Sequence, residues 1–328
     1  MTTEPNDDAT AIDPEMPIVD THHHLWDGRP IPDENMSKPY RWPDYARDMK
    51  RSHNIVQSVA MDCGSHYRID GPAAMRPVGE TEFFAESGRA AGNGMCAGIV
   101  SHADLTLGDE VAPVLDAHIA AGDGRFRGIR HMTAWEPGQY CAAEKGLMAT
   151  EAFRRGFAQL APRGLSFDAY LYHPQIDELA DLARAFPATT IILDHAGGQL
   201  GVGRHGENPG ETFAAWRASL AALAQLPNVS LKLGGLGSPS TGSSNYGRKP
   251  PASTGELVIE WRPTIETAIE AFTPARCLFE SNFPVDRATC GYTRLWNVFQ
   301  TIAAPYSHDE RAAMFHGTAR RVYRLPLS

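Results

Sequence analysis

The sequence predicts an α/β chain folded as one (β/α)8 barrel with a parallel eight-stranded core, on three observations. Short β-branched apolar runs alternate with helical patterns along nearly the whole chain. Strict strand-helix alternation implies parallel strands, because parallel neighbours need a crossover connection. Eight such units fit 328 residues, a length that barrels commonly fill as a single unit. An open doubly wound sheet is the alternative, disfavoured because no Gly-x-Gly-x-x-Gly turn follows the first strand.

Pro17 to Asp20 is a short buried strand ending in polar residues, and a helix starts near Pro43 and runs to Arg51. The next strands are expected at Ile55 to Met61, Cys96 to Val100, Phe126 to His131 and Leu165 to Tyr172. The remaining three fall at Thr189 to Leu193, Val229 to Leu233 and Cys277 to Glu280. Helices are expected between them at Glu80 to Ala91, Asp109 to Ala121, Thr150 to Leu160, Gln175 to Phe186, Glu211 to Leu226 and Glu256 to Phe272. Two more, Tyr292 to Ala303 and Asp309 to Val322, finish the chain. Gly197 to Gly210 and Gly234 to Pro251 are rich in Gly, Pro, Ser and Asn, and both follow strands. They read as long loops over the active face, either a lid or disordered surface. Residues 1–15 read as a flexible lead-in, and residues 16–328 as one domain.

Composition excludes several classes. With 42% apolar and 21% charged residues the chain can build a large core. The net charge is −9 and no basic block stands out, which argues against nucleic acid and anionic membrane as partners. The acidic start lacks the pattern of a signal peptide, and no run is long enough for a membrane span. Five cysteines without a Cys-x-x-Cys pair suggest reduced, structural thiols and a cytoplasmic setting. A small-molecule substrate is therefore expected, and a homodimer is compatible with such an enzyme.

In a barrel the residues at the C-terminal ends of the strands face the reaction centre. After the first strand these are His22, His23 and His24. Alternate residues of an extended chain share a side, so His22 and His24 point together and His23 points away. Two imidazoles on one side suit a divalent ion, against the plainer reading of a polar run with one buried histidine. The fifth strand ends in Tyr172-His173, the sixth in Asp194-His195-Ala196-Gly197-Gly198, and the eighth in Glu280-Ser281-Asn282-Phe283-Pro284-Val285-Asp286. His195 is the strongest of these, because the following glycines let a ligand approach the backbone. His173 divides evenly between ligand, substrate contact and structural hydrogen bonding. On the fourth strand Arg127 and Arg130 are an odd number of residues apart, so one points inward and one outward. Arg130, nearer the strand end, could pair bidentately with a substrate carboxylate or form a salt bridge in the barrel wall. Trp26 and Trp135 are candidates for an apolar wall or for packing.

Four motifs carry a resemblance: Asp20-x-His22-x-His24-x-Trp26, Arg127 to Arg130, Leu193 to Gly198, and Phe279 to Asp286. Together they resemble the amidohydrolase superfamily, in its amidohydrolase-related branch of barrel hydrolases that includes pyrone-dicarboxylate and sugar-lactone lactonases. The likeness runs from about Ile18 to Arg320. It implies a hydrolase that opens a lactone or similar cyclic ester of a small carboxylated metabolite by water attack. His22, His24 and His195 would hold one divalent ion, zinc or manganese, although the resemblance also admits metal-free operation. His195, Asn282 and Asp286 would be catalytic, with Arg130, Tyr172, His173 and Trp26 on the substrate. One departure matters: Asn282 stands where the branch usually carries a water-activating aspartate, and an amide is no general base. Asp286 is the nearest carboxylate able to replace it, with Glu280 a weaker candidate. Two rival readings follow: a nonoxidative decarboxylase on the same barrel, and a degenerate barrel that binds a small molecule without turning it over.

Overall fold

The computed structural model describes residues 10–28, 34–140 and 142–326. Eight parallel strands form one sheet in sequential order: β1 (Pro17–His23), β2 (Asn54–Met61), β3 (Gly98–Ser101), β4 (Phe126–Ile129), β5 (Ser166–Ala169), β6 (Ile191–Leu193), β7 (Val229–Leu233) and β8 (Cys277–Phe279). The ring closes where a parallel bridge joins His23 to Phe283, with His24 N–H donating to the Phe283 carbonyl at 2.8 Å. This is the (β/α)8 barrel that the alternation predicts.

Period-two side-chain alternation sorts the strands into two faces. Ile99, Ile129, Phe167, Ile191, Leu193, Leu231, Leu233, Cys277 and Phe279 belong to the large core between the strands and the outer helices. Val19, Val59, Met61, Val100, Ile192 and Leu278 form a second cluster with Ala319, Val322, Tyr323 and Leu325 of the C-terminal segment. That segment thus packs on the inner side of the barrel. Gly128 is on the same inner face, and a Cβ there would come within 2.1 Å of Ser166 Oγ, so β4 can approach β5 only as glycine.

The outer helices lie close to the positions expected, among them Trp42–Met49, Val78–Ala91, Ile176–Ala185, Thr254–Phe272 and Tyr292–Ala303. Two details differ from expectation. The closing helix runs on as expected from His308 to Val322 but widens to a π-helical turn at Ala313–Gly317, where Met314 and Phe315 are buried. The lead-in is anchored where it is described: Ile12 and Asp13 N–H donate to Asn297 Oδ1 and Gln300 Oε1, each at 3.0 Å. The amides of Asn297 and Gln300 donate back to the carbonyls of Thr10 and Asp13. Residues 1–9 lie outside the described residues, as does Cys141. The other four cysteines are buried and form no disulfide. Among the described residues, no helix is long and apolar enough to cross a membrane.

Candidate active site

The strand ends gather on one face above a cavity of about 710 Å3, whose wall includes His24, Arg130, Tyr170, Tyr172, His195 and Asn282. The two loops expected over this face form part of that wall through Gln199 and Val202 on one side and Ser238 to Thr241 on the other. They run together, Gly201 N–H donating to the Ser240 carbonyl at 3.0 Å.

His22 and His24 do share a side, their Nε2 atoms 3.2 Å apart. His23 turns away, bonding Ser58 Oγ at 3.0 Å and stacking on Tyr45. The partners of the other ring nitrogens fix the tautomers. His24 Nδ1 is 2.8 Å from the Met61 carbonyl oxygen, so it donates there and leaves Nε2 as the acceptor. His22 Nδ1 lies 3.0 Å from Glu280 Oε2 and 3.2 Å from the Lys232 ammonium; with its proton turned to the carboxylate, Nε2 is left as the acceptor. Two acceptor nitrogens thus converge. Nitrogens bound tetrahedrally to zinc at about 2.0–2.1 Å lie roughly 3.3 Å apart, so this pair has the spacing of metal ligands.

His195 sits in a left-handed turn, with φ of 55° at His195, 51° at Ala196, 79° at Gly197 and 60° at Gly198. Such a turn is costly for residues with a Cβ. It is held by His195 N–H donating to Glu280 Oε1 at 3.0 Å and Trp216 Nε1–H to the Ala196 carbonyl at 2.9 Å. A Cβ at Gly198 would lie 2.0 Å from the Leu171 carbonyl, so glycine is required there for space as well as for φ. The ring donates from Nδ1 to the same Glu280 oxygen at 2.7 Å. Glu280 therefore spans two histidines with one carboxylate. Burial acts to raise its pKa, but His195 and His22 override this and hold it well below the usual carboxylate range.

Two counts of two along the chain add residues that the sequence reading missed. Asp194 follows Ile192 on the inner face, and its carboxylate is fully buried. It lies 2.9 Å from Lys232, 3.7 Å from Arg130 and 3.8 Å from His22, yet neither oxygen receives a well-directed hydrogen bond among the described residues. A buried carboxylate so placed is a cation ligand in waiting, and His22, Asp194 and His195 can each turn one ligand atom to a common point. Lys232 and Asp168, 2.8 Å apart and both fully buried, form the ion pair beneath them. Their signal was present: each is a single charge inside an apolar strand, VSLKL and LSFDAYLY. Burial pushes the His22 pKa down to about 4, with help from the Lys232 charge, so the ring is neutral and fit to ligate. The residues present therefore fit one divalent ion.

Arg130 and Arg127 point oppositely, as the spacing required: Arg130 is the inward one, and Arg127 donates to the Gly124 and Phe126 carbonyls. The Arg130 guanidinium bonds the Asp62 carbonyl and lies 3.4 Å from His22 Nε2. It also sits over the Tyr170 ring, which meets His195 edge-on. Tyr172 lines the cavity and donates its hydroxyl to the Tyr140 carbonyl at 2.9 Å. His173 and Trp26 are outside the wall. His173 begins the turn after β5, where its Nδ1 accepts from Leu200 N–H at 3.2 Å and supports the 197–210 loop. Trp26 is buried behind His24, its indole N–H donating to the Lys38 carbonyl at 2.9 Å. Asp20 also does structural work: its carboxylate accepts from Ser281 N–H and Oγ–H, Tyr45 and Tyr292, tying β1 to the end of β8.

Asn282 faces the cavity and donates Nδ2–H to Asp286 Oδ1 at 2.9 Å. Asp286 lies behind it, fully buried, with Gly237 N–H on its other oxygen at 3.2 Å. Burial pushes the Asp286 carboxyl up to about 7. A raised folded-state pKa means that the native chain binds the proton more tightly than the unfolded chain. The stability that Asp286 contributes is then fully present below about pH 4 and declines as pH rises to about 7. Urea unfolding of the parent and of Asp286→Asn at pH 4.5, 6 and 8 checks this. The stability difference, parent minus variant, is expected to fall from pH 4.5 to about 7 at up to about 1.4 kcal/mol per unit and to level off by pH 8; a rise with pH would refute the assignment.

Comparison with known proteins agrees with this geometry. Residues 19–325 match the family model described as amidohydrolase. The chain is 35% identical to the uncharacterized protein y4mH of Sinorhizobium fredii, over 95% of this chain and 99% of that one. It is 27% identical to an L-fucono-1,5-lactonase of Burkholderia multivorans, over 94% of this chain and 96% of that one. A crystal structure of a Burkholderia multivorans amidohydrolase with bound zinc superposes with a TM-score of 0.73 at 26% identity, covering 94% of this chain and 99% of that one. The match spans the barrel from β1 to the C-terminal segment, and on that ground the chain belongs to the amidohydrolase family.

Proposed function

We propose that this chain is a metal-assisted hydrolase that opens a lactone, or a similar cyclic ester, of a small oxygen-rich carboxylated metabolite. The observation that carries the reading is the cluster of His22, Asp194 and His195, with His24 Nε2 3.2 Å from His22 Nε2 and with His24 and His195 on the cavity wall. The 27% identity to a lactonase over nearly the whole chain supports the choice of substrate class. A divalent ion held by those residues would polarise the ester carbonyl and make a water nucleophilic near neutral pH, as zinc does.

The chain's own groups divide the remaining work. Arg130 is the only Lys or Arg among the described wall residues, and its charge stabilises an oxyanion or receives a substrate carboxylate. Asn282 commits one Nδ2–H to Asp286, which fixes the amide at the cavity wall, where its carbonyl oxygen can accept a water hydrogen. Asp286 thus positions that amide rather than meeting the water itself. Tyr170, Tyr172, Gln139, Gln199, Ser238 and Ser240 give the wall a neutral polar character suited to substrate hydroxyls.

A panel of sugar lactones and unsaturated dicarboxylate lactones, followed by acid release, tests the reading. Ring opening that a chelator abolishes and zinc or manganese restores is the expected result. Carbon dioxide release from a carboxylated aromatic substrate without ring opening would replace the hydrolase by a decarboxylase. Tight binding without turnover across the panel would leave a binding protein.

A further inference from the structure

Lys232 is fully buried on the inner face of β7, and its surroundings are unusual for an ammonium. Its Nζ is 2.8 Å from Asp168 Oδ1, 2.9 Å from Asp194 Oδ1, 3.2 Å from His22 Nδ1 and 4.0 Å from Glu280 Oε2. Three carboxylates gathered round one point are the donor chemistry of a divalent metal ion. Two of the ammonium's neighbours, His22 and Asp194, also belong to the donor set beneath the cavity. The ammonium therefore lies directly behind the metal position and shares its ligands.

We propose that Lys232 is a built-in cation standing in the place of a second metal ion, so that this barrel accepts one divalent ion and not two. A unit positive charge within 3 Å of Asp168 and Asp194, the second of them also in the first donor set, repels any further cation from that point. Asp168 is also held by the Tyr323 hydroxyl, which donates to the same Oδ1 that meets Lys232, so Asp168 stays beside Asp194 when the lysine is shortened. To ligate zinc at about 2.0–2.2 Å they need to close in by less than roughly 1 Å. The inference rests on the metal reading above, and the experiment separates the two.

Parent, Lys232→Ala and Lys232→Met are stripped with chelator, reloaded with excess zinc, desalted, and assayed for zinc per chain. Thermal unfolding is followed with and without zinc. The expected result is about one ion in the parent, about two in Lys232→Ala, and no gain in Lys232→Met, whose side chain fills the space. Zinc should also raise the melting temperature of Lys232→Ala more than that of Lys232→Met. The proposal is overturned if Lys232→Ala holds no more zinc than the parent, if the parent itself takes two ions, or if Lys232→Ala fails to fold even when refolded in zinc. A variant that gains one ion where the parent holds none would refute the first metal site and leave the assignment of Lys232 standing.

Discussion

Replacing Lys232 with methionine is expected to destabilise the fold by about 3–5 kcal/mol, the cost of removing one partner from a buried ion pair. Methionine preserves most of the volume, so the loss reports charge and not a cavity. The size follows from what is left behind. Asp168 and Asp194 are both fully buried, and each has its closest cationic contact at Lys232, at 2.8 and 2.9 Å. Burial acts to lower the lysine pKa, but the charges of Asp168 and Asp194 override it and hold the group above its ordinary value. The ammonium is therefore charged throughout the pH range in which the protein folds. Urea unfolding at pH 7 checks the expectation, and a loss under about 1 kcal/mol would mean that the two carboxylates find other partners. Part of the loss should return at low pH, where the orphaned carboxylates can take up protons.

Changing His22 and His24 together to alanine is expected to remove bound metal and to lower kcat/KM on the best lactone at least about a thousand-fold, roughly 4 kcal/mol of transition-state stabilisation. The effect should be large because both nitrogens converge at 3.2 Å with tautomers set by Glu280 and the Met61 carbonyl. Only metal content and rate together make the test specific. Loss of activity with the metal retained would move the ligand set to Asp194 and His195. Activity untouched by either the change or a chelator would mean that Arg130 and His195 polarise the carbonyl without an ion or the first-strand histidines.

The departure at Asn282 looks different once the structure is in view. An amide cannot take the proton from a water, and the nearby Asp286 does not reach the cavity, because Asn282 stands between. What the pair supplies is a fixed acceptor orientation. On the proposed reading, catalysis near neutral pH would then rest more heavily on the ion, which is why chelation is the discriminating treatment in the lactone panel.

The amino-acid order by itself determined the barrel, the inward pairing of His22 with His24, the outward turn of His23 and the opposite aims of Arg127 and Arg130. All four follow from period-two alternation on strands whose apolar residues announce themselves, a local property that needs no tertiary information. The same count of two places Asp168, Asp194, Lys232 and Glu280 on the inner face, so their direction was legible even where it was not read. Tertiary structure decided their roles. Glu280 spans His22 and His195 because β8 closes against β1 while the left-handed turn after β6 brings His195 across. Lys232 pairs with Asp168 and Asp194 only because three strands distant in sequence converge on the barrel interior. Trp26, His173 and Asp286 were placed by what packs against them, beyond a strand end or around a turn, where alternation no longer holds. Periodicity fixes which way a side chain points while the chain is extended; what it meets is fixed by the closure of the ring.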